Sequence, residues 1–204
     1  MGRGQVALPL CSIAMRIIAG THRSRTLQAP AGLATRPTSD RLRETLFNVL
    51  APRIQGAAFL DLYAGSGAVG IEALSRGAAR VEFVERAPTA LAVLCGNLAK
   101  LGMTRGFRIH QGSVGPVLRR MKPAGGTTFN LVFLDPPYDA AEEYAATLNM
   151  LGGPQAGLFA PSAVVIAEHR KKERLEDKYG ALERARLLEQ GDASLSFYTA
   201  AMEQ

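Results

Sequence analysis

Two short segments carry residue types that can do chemistry. The first is Asp61-Leu62-Tyr63-Ala64-Gly65-Ser66-Gly67, a glycine-rich turn that follows an apolar run. The second is Asp135-Pro136-Pro137-Tyr138, which follows the apolar run Phe129 to Leu134. Gly65, Gly67 and Gly70 spell G-x-G-x-x-G, a turn on which a ligand can approach the backbone closely. Glu85, twenty positions after Gly65, offers a carboxylate able to accept both hydroxyls of a ribose. Asp135 and the Pro136 carbonyl are two acceptors on a backbone that prolines stiffen. An exocyclic amine on a nucleic-acid base has two hydrogens to give to such a pair, but its lone pair is delocalised into the ring. Accepting both hydrogens favours a more tetrahedral nitrogen whose lone pair can attack a methyl group. Tyr138 adds a face on which an extruded base can stack. Together the segments point to methyl transfer from S-adenosylmethionine to a base amine, with no metal and no covalent nucleophile.

Other chemistries stay open on these residues alone. The glycine pattern with Glu85 is also a dinucleotide fingerprint, as in an NAD-dependent oxidoreductase. Asp61 opposes that reading, because a carboxylate at the strand end repels a pyrophosphate. S-adenosylmethionine has no phosphate, and its α-amino group and sulfonium suit a nearby acid. Asp-Pro-Pro-Tyr does not separate guanine N2 from adenine N6, so a DNA adenine or other RNA methyltransferase is a rival. A non-catalytic RNA-binding protein is opposed by the intact acceptors at Asp135 and Glu85.

Charge points to a polyanion. The chain has 24 Lys and Arg against 18 Asp and Glu, a net charge of +6, and cations that neutralise phosphates release counterions. The distribution says more than the sum. Arg16, Arg23, Arg25, Arg36, Arg41 and Arg43 share one stretch with a single acid, Asp40. Arg rather than Lys favours forked phosphate contacts and stacking on bases. Cys11 and Cys95 lack disulfide or zinc spacing, and His22, His110 and His169 are scattered, so a reducing cytoplasmic setting without a metal is expected. No stretch is long enough to span a membrane.

The elements that must position these residues follow from patterning. Residues 1–14 are expected to be a disordered extension. Residues 15–53 form a basic amino-terminal arm and a helix that starts at Thr38-Ser39-Asp40 and stops at Pro52. Residues 54–204 alternate strand and helix as a doubly wound, mostly parallel α/β sheet of seven strands. The strands are Ala57–Leu62, Arg80–Glu85, Phe107–His110, Phe129–Leu134 and Ala163–Glu168, closed by an antiparallel pair at Arg184–Leu188 and Leu195–Ala200. Helices are predicted at Ala68–Ser75, Ala87–Leu101, Val114–Met121 and Ala141–Leu151. The charged stretch Arg170–Lys178 is read as a solvated loop or helix. The strand before Asp135 should neighbour the strand before Gly65, placing the two motifs across one cleft.

With both motifs in place, the chain resembles a class I, Rossmann-like methyltransferase. Arg16-Ile17-Ile18-Ala19-Gly20, the segment Arg36-Pro37-Thr38-Ser39-Asp40-Arg41-Leu42-Arg43-Glu44-Thr45-Leu46-Phe47-Asn48 and Val165-Ile166-Ala167-Glu168-His169 are similar to signatures of the RsmD family. The resemblance runs from about Met15 to the carboxyl terminus. It implies N2 methylation of a guanine in small-subunit (16S) ribosomal RNA, with S-adenosylmethionine as cofactor. Asp61, Gly65, Ser66, Gly67 and Glu85 would hold cofactor. Asp135, Pro136, Pro137 and Tyr138 would present the base. Arg36, Thr38, Arg41 and Arg43 would touch RNA. One departure is visible: where related enzymes often carry an acid for the adenine amino group, this chain has Gly112-Ser113, and Ser113 accepts more weakly than a carboxylate. The expected partner is ribosomal RNA, naked or in an assembling 30S particle, and the expected state is a monomer.

Overall fold

The computed structural model describes residues 15–29, 39–122, 128–137 and 141–200. The predicted extension at 1–14 lies outside them, as do Arg36, Thr38 and Tyr138.

The arm begins with two-residue strands, β1 (Met15–Arg16) and β2 (Thr26–Leu27), paired antiparallel. Helix α1 (Asp40–Ile54) starts where Ser39 Oγ accepts the Leu42 N–H at 3.2 Å, and Asp40 places an acid at the positive end of the dipole. The helix passes the stop predicted at Pro52. In the last turn a proline forgoes a single hydrogen bond, and two more residues bring Ile54 into the core.

Strands and helices then alternate: β3 (Ala58–Leu62), α2 (Ala68–Ser75), β4 (Arg80–Glu85), α3 (Pro88–Lys100), β5 (Phe107–Gln111), α4 (Val114–Arg120), β6 (Phe129–Leu134) and α5 (Ala141–Leu151). The chain closes with β7 (Phe159–Arg170), β8 (Lys178–Tyr179), β9 (Leu182–Gln190) and β10 (Ala193–Ala200). The charged stretch after β7 is a loop rather than a helix. The sheet order is β5-β4-β3-β6-β7-β10-β9-β8. The first five strands run parallel, and β10, β9 and β8 pair antiparallel. The sheet therefore has eight strands where seven were expected. The addition is β8, a two-residue pairing at the edge.

Both faces are covered, which is why the central strands read as nearly continuous apolar runs. Phe59, Phe83, Phe133 and Ile166 pack with Leu46 and Phe47 of α1, Ile71 of α2 and Leu94 of α3. On the other face, Leu62, Val84, Leu134 and Val165 pack with Val117 and Leu118 of α4 and Leu148 of α5. The arm, α1 and the glycine turn thus share one core. Strand order reverses between β3 and β6, and the crevice outside their carboxyl ends is where such sheets bind ligands.

Candidate active site

The glycine turn leaves β3 in an unusual backbone. Tyr63 has φ +62°, and Gly65 and Gly67 have φ +56° and +79°. The αL region costs a bulky residue free energy, and Tyr63 is held there from two sides. The Ala64 N–H donates to the Val84 carbonyl at 2.9 Å. The Tyr63 hydroxyl lies 2.8 Å from Thr147 Oγ1 on α5. The glycines divide the labour. A Cβ on Gly70 would sit 2.3 Å from the Phe83 ring, so helix and strand close on each other there; one on Gly67 would sit 2.2 Å from Leu94 Cδ1. A Cβ on Gly65 would meet nothing nearer than 4.0 Å, so this glycine leaves open space beside the turn.

Two carboxylates shape the turn. Glu85 Oε2 accepts the Gly65 N–H at 2.8 Å and its Oε1 accepts the Ala87 N–H at 2.7 Å. A carboxylate has about four acceptor sites, so capacity for a ribose diol remains. Asp61 is buried, and its Oδ2 accepts the Gly70 N–H at 2.9 Å in the first turn of α2. Burial pushes its pKa up from 3.8 to about 7; the Gly70 hydrogen bond opposes this and the Glu85 charge adds to it. A cationic group entering the crevice would oppose the shift. The glycine backbone, the spare lone pairs on Glu85 and the buried carboxyl of Asp61 therefore fit a nucleoside that carries positive charge on an amino acid chain joined to it through sulfur.

Register gathers the acids. Leu62 pairs with Val84 on one side and Leu134 on the other, and Leu134 pairs with Ala167. Glu85, Asp135 and Glu168, each one position further on, form a row along the carboxyl edge. Alternation puts them on the same face as Asp61. Asp135 is half-buried just past β6 and Pro136 is buried beside it. Desolvation, then the charges of Glu168 and Asp61, hold the Asp135 carboxyl well above the usual carboxylate range. A carboxylate made more basic in this way is suited to accept a proton.

The other predicted residues are placed differently. Ser66 is buried in the turn. Ser113 is exposed at the N-cap of α4, where its side chain makes no capping bond. Arg41 is exposed on α1. Arg43 corrects the RNA-contact expectation. It is 0% exposed, its Nη2 donates to the Arg16 carbonyl and to Asp40 Oδ1 at 2.8 Å, and its Nε lies 3.9 Å from Glu72 Oε2. A guanidinium enclosed by protein cannot reach a phosphate. The Arg-Leu-Arg spacing turns one arginine outward and the next into the core.

Sequence reasoning missed Glu72, Asn97 and the electrostatic role of Glu168. Glu72 is fully buried and accepts the backbone N–H groups of Ile18 and Ala19 and the Arg76 guanidinium. Asn97 accepts from Gln28 N at 2.8 Å and donates to the Gln28 and Ser66 carbonyls, each at 3.0 Å. A signal existed: each is a polar residue on the apolar stripe of its helix, Glu72 beside Ile71 and Asn97 between Leu94 and Leu98. Among the described residues, no group of three His, Cys, Asp or Glu is placed to hold a metal. No described helix is long and apolar enough to cross a membrane.

Comparison with known proteins agrees with this geometry. The family model described as Conserved hypothetical protein 95 matches residues 15–199. The protein YlbH of Bacillus subtilis, provisionally named an rRNA methyltransferase, is 34% identical over 184 residues, 90% of this chain and 98% of the relative. Ribosomal RNA small subunit methyltransferase D of Escherichia coli is 40% identical over 156 residues, 76% of this chain and 74% of the relative. Among solved structures, yhhF of Escherichia coli, provisionally named a methyltransferase, superposes with a TM-score of 0.80 at 34% identity, covering 93% of this chain and 99% of its own. With the glycine turn, Glu85 and Asp135 on one edge of the sheet, the chain belongs to the Conserved hypothetical protein 95 family, the RsmD family of rRNA methyltransferases.

Proposed function

We propose that the protein transfers a methyl group from S-adenosylmethionine to the exocyclic N2 amine of a guanine in small-subunit ribosomal RNA. The observation that carries this reading is the row of Glu85 and Asp135 on one face of the sheet, with the glycine turn between their strands. The cofactor, when bound, supplies an electrophilic methyl group. Gly65, Ser66, Gly67 and Glu85 hold its nucleoside part, and Asp61 faces its positive charge through the turn. Ser113 accepts a hydrogen bond from the adenine amino group, more weakly than a carboxylate would.

Asp135 and the Pro136 carbonyl each accept one amine hydrogen, and Pro136 and Pro137 keep the acceptors in place. Asp135 takes the proton that the amine gives up, which its raised pKa favours. Tyr138 stacks on the base. Orientation then supplies much of the acceleration. Arg41, with Arg36 and Thr38, contacts RNA phosphates at the entrance. The amino-terminal arm and α1 form the RNA-facing part, with residues 54–204 as the methyltransferase part. The arm is short, so the recognised surface extends to an assembling 30S particle, and the enzyme acts on it in the cytoplasm as a monomer.

The test is transfer of labelled methyl groups to three substrates: small subunits from cells lacking the enzyme, the same RNA stripped of protein, and adenine-containing duplex DNA. Label on the subunits is the expected result. Label on DNA alone would replace this reading with the adenine one.

A further inference from the structure

The amino-terminal arm is strapped to three helices, α1, α2 and α3. Its first part is fixed by α1 and α2. The Arg43 guanidinium donates to the Arg16 carbonyl, and Glu72 accepts the Ile18 and Ala19 N–H groups. Its second part is fixed by α3, where Asn97 and Lys100 stand on successive turns. Lys100 Nζ donates to the Thr26 carbonyl at 3.0 Å and to Thr26 Oγ1 at 2.9 Å. Asn97, 0% exposed, closes a two-bond pairing with the Gln28 backbone and donates a third bond to the Ser66 carbonyl. Its one amide therefore grips the end of the arm and the cofactor turn at once. A chain of hydrogen bonds runs from α1, which carries Arg41, through Arg16 and the arm to Gln28, Asn97 and Ser66.

We propose that Asn97 is a positioning residue that couples RNA engagement by α1 and the arm to cofactor binding in the glycine turn. The proposal rests on the reading above that α1 and the arm face RNA. Buried amide side chains with every bond made act as rigid links. When RNA fixes the arm, the Ser66 carbonyl and the glycines beside it are fixed through the same amide, so the ordering cost of cofactor binding is already met. Linkage makes the effect reciprocal: the cofactor tightens RNA binding by the same factor.

The experiment measures the dissociation constant of S-adenosylhomocysteine alone and with saturating small subunits from cells lacking the enzyme. The wild-type protein is expected to bind it about fivefold tighter or more on the subunit. In Asn97→Asp, which keeps the acceptor but loses both donated bonds, that ratio is expected to fall to near one. Lys100→Met removes an exposed strap and leaves the core untouched. It is expected to reduce the ratio at least about twofold at unchanged melting temperature, and it decides the matter alone if Asn97→Asp does not fold. A residue that merely supports the fold would lower both affinities and the melting temperature but leave the ratio intact, and that result overturns the proposal. A wild-type ratio of one overturns it as well. Failure of the wild-type protein to bind S-adenosylhomocysteine at all would instead strike the methyltransferase reading itself.

Discussion

In the proposed mechanism Asp135 takes the amine proton, and its setting makes that role testable by pH. Its carboxyl is held high by desolvation and by Glu168 and Asp61, and in that mechanism it can take the amine proton only when ionised. The rate at saturating substrates should therefore fall as pH drops through the raised pKa. Glu168→Gln removes a negative neighbour, so Asp135 ionises more readily and the acid limb should move to lower pH; a limb that stays in place would detach Glu168 from the site. Asp135→Asn should lower kcat by about 100-fold or more while the S-adenosylhomocysteine dissociation constant stays within about twofold. Equal losses in both would make it a cofactor ligand instead. Asp61 gives a stability signature. The unfolded chain releases this proton near pH 3.8 and the folded protein near pH 7. Between those values the folded state binds more protons, so stability falls as pH rises, by roughly 4 kcal/mol at most. Urea midpoints of Asp61→Asn across that window should show a flatter slope, and an unchanged slope would place the proton elsewhere.

At the scale of elements, α1 separates two arginines that look alike in sequence. Arg43 is a buried ion-pair partner, and Arg43→Met should cost about 3–5 kcal/mol in chemical denaturation, because it leaves Glu72 charged and less compensated inside the protein. Arg41→Ala should leave stability within about 0.5 kcal/mol and weaken RNA binding, with a salt slope shallower by about one. The reverse pattern would restore Arg43 as the RNA contact. This pair marks the limit of what the sequence made legible. Strands β4 and β6 and helices α2 and α5 match their predicted bounds, since period and glycine punctuation act locally. The Glu85 and Asp135 positions followed from the same alternation. Which face of α1 meets the sheet depends on long-range packing, so Arg43 read as surface. Asn97 and Glu72 are bound to residues 69 and 54 positions away in the chain, and no local pattern reports such partners. The end of α1 was misplaced because Pro52 breaks a helix only where its missing N–H and its ring matter, and near a terminus they matter little.

For the whole molecule, the switch in strand order sets the cleft, and the proposed function gives the arm the RNA-facing role. The parallel half of the sheet carries the acids on its carboxyl edge. The antiparallel strand β10 pairs with β7, and β9 and β8 extend the sheet beyond it. Net charge of +6 favours association with RNA of any sequence; under the proposed function, selection of one amine on one base falls to Asp135 and the residues that follow it. The central claim is the identity of that amine, and the most direct measurement is digestion of the methylated RNA to nucleosides after reaction with labelled S-adenosylmethionine on small subunits lacking the modification. Label is expected in N2-methylguanosine and in no other nucleoside. Label in N6-methyladenosine would contradict it.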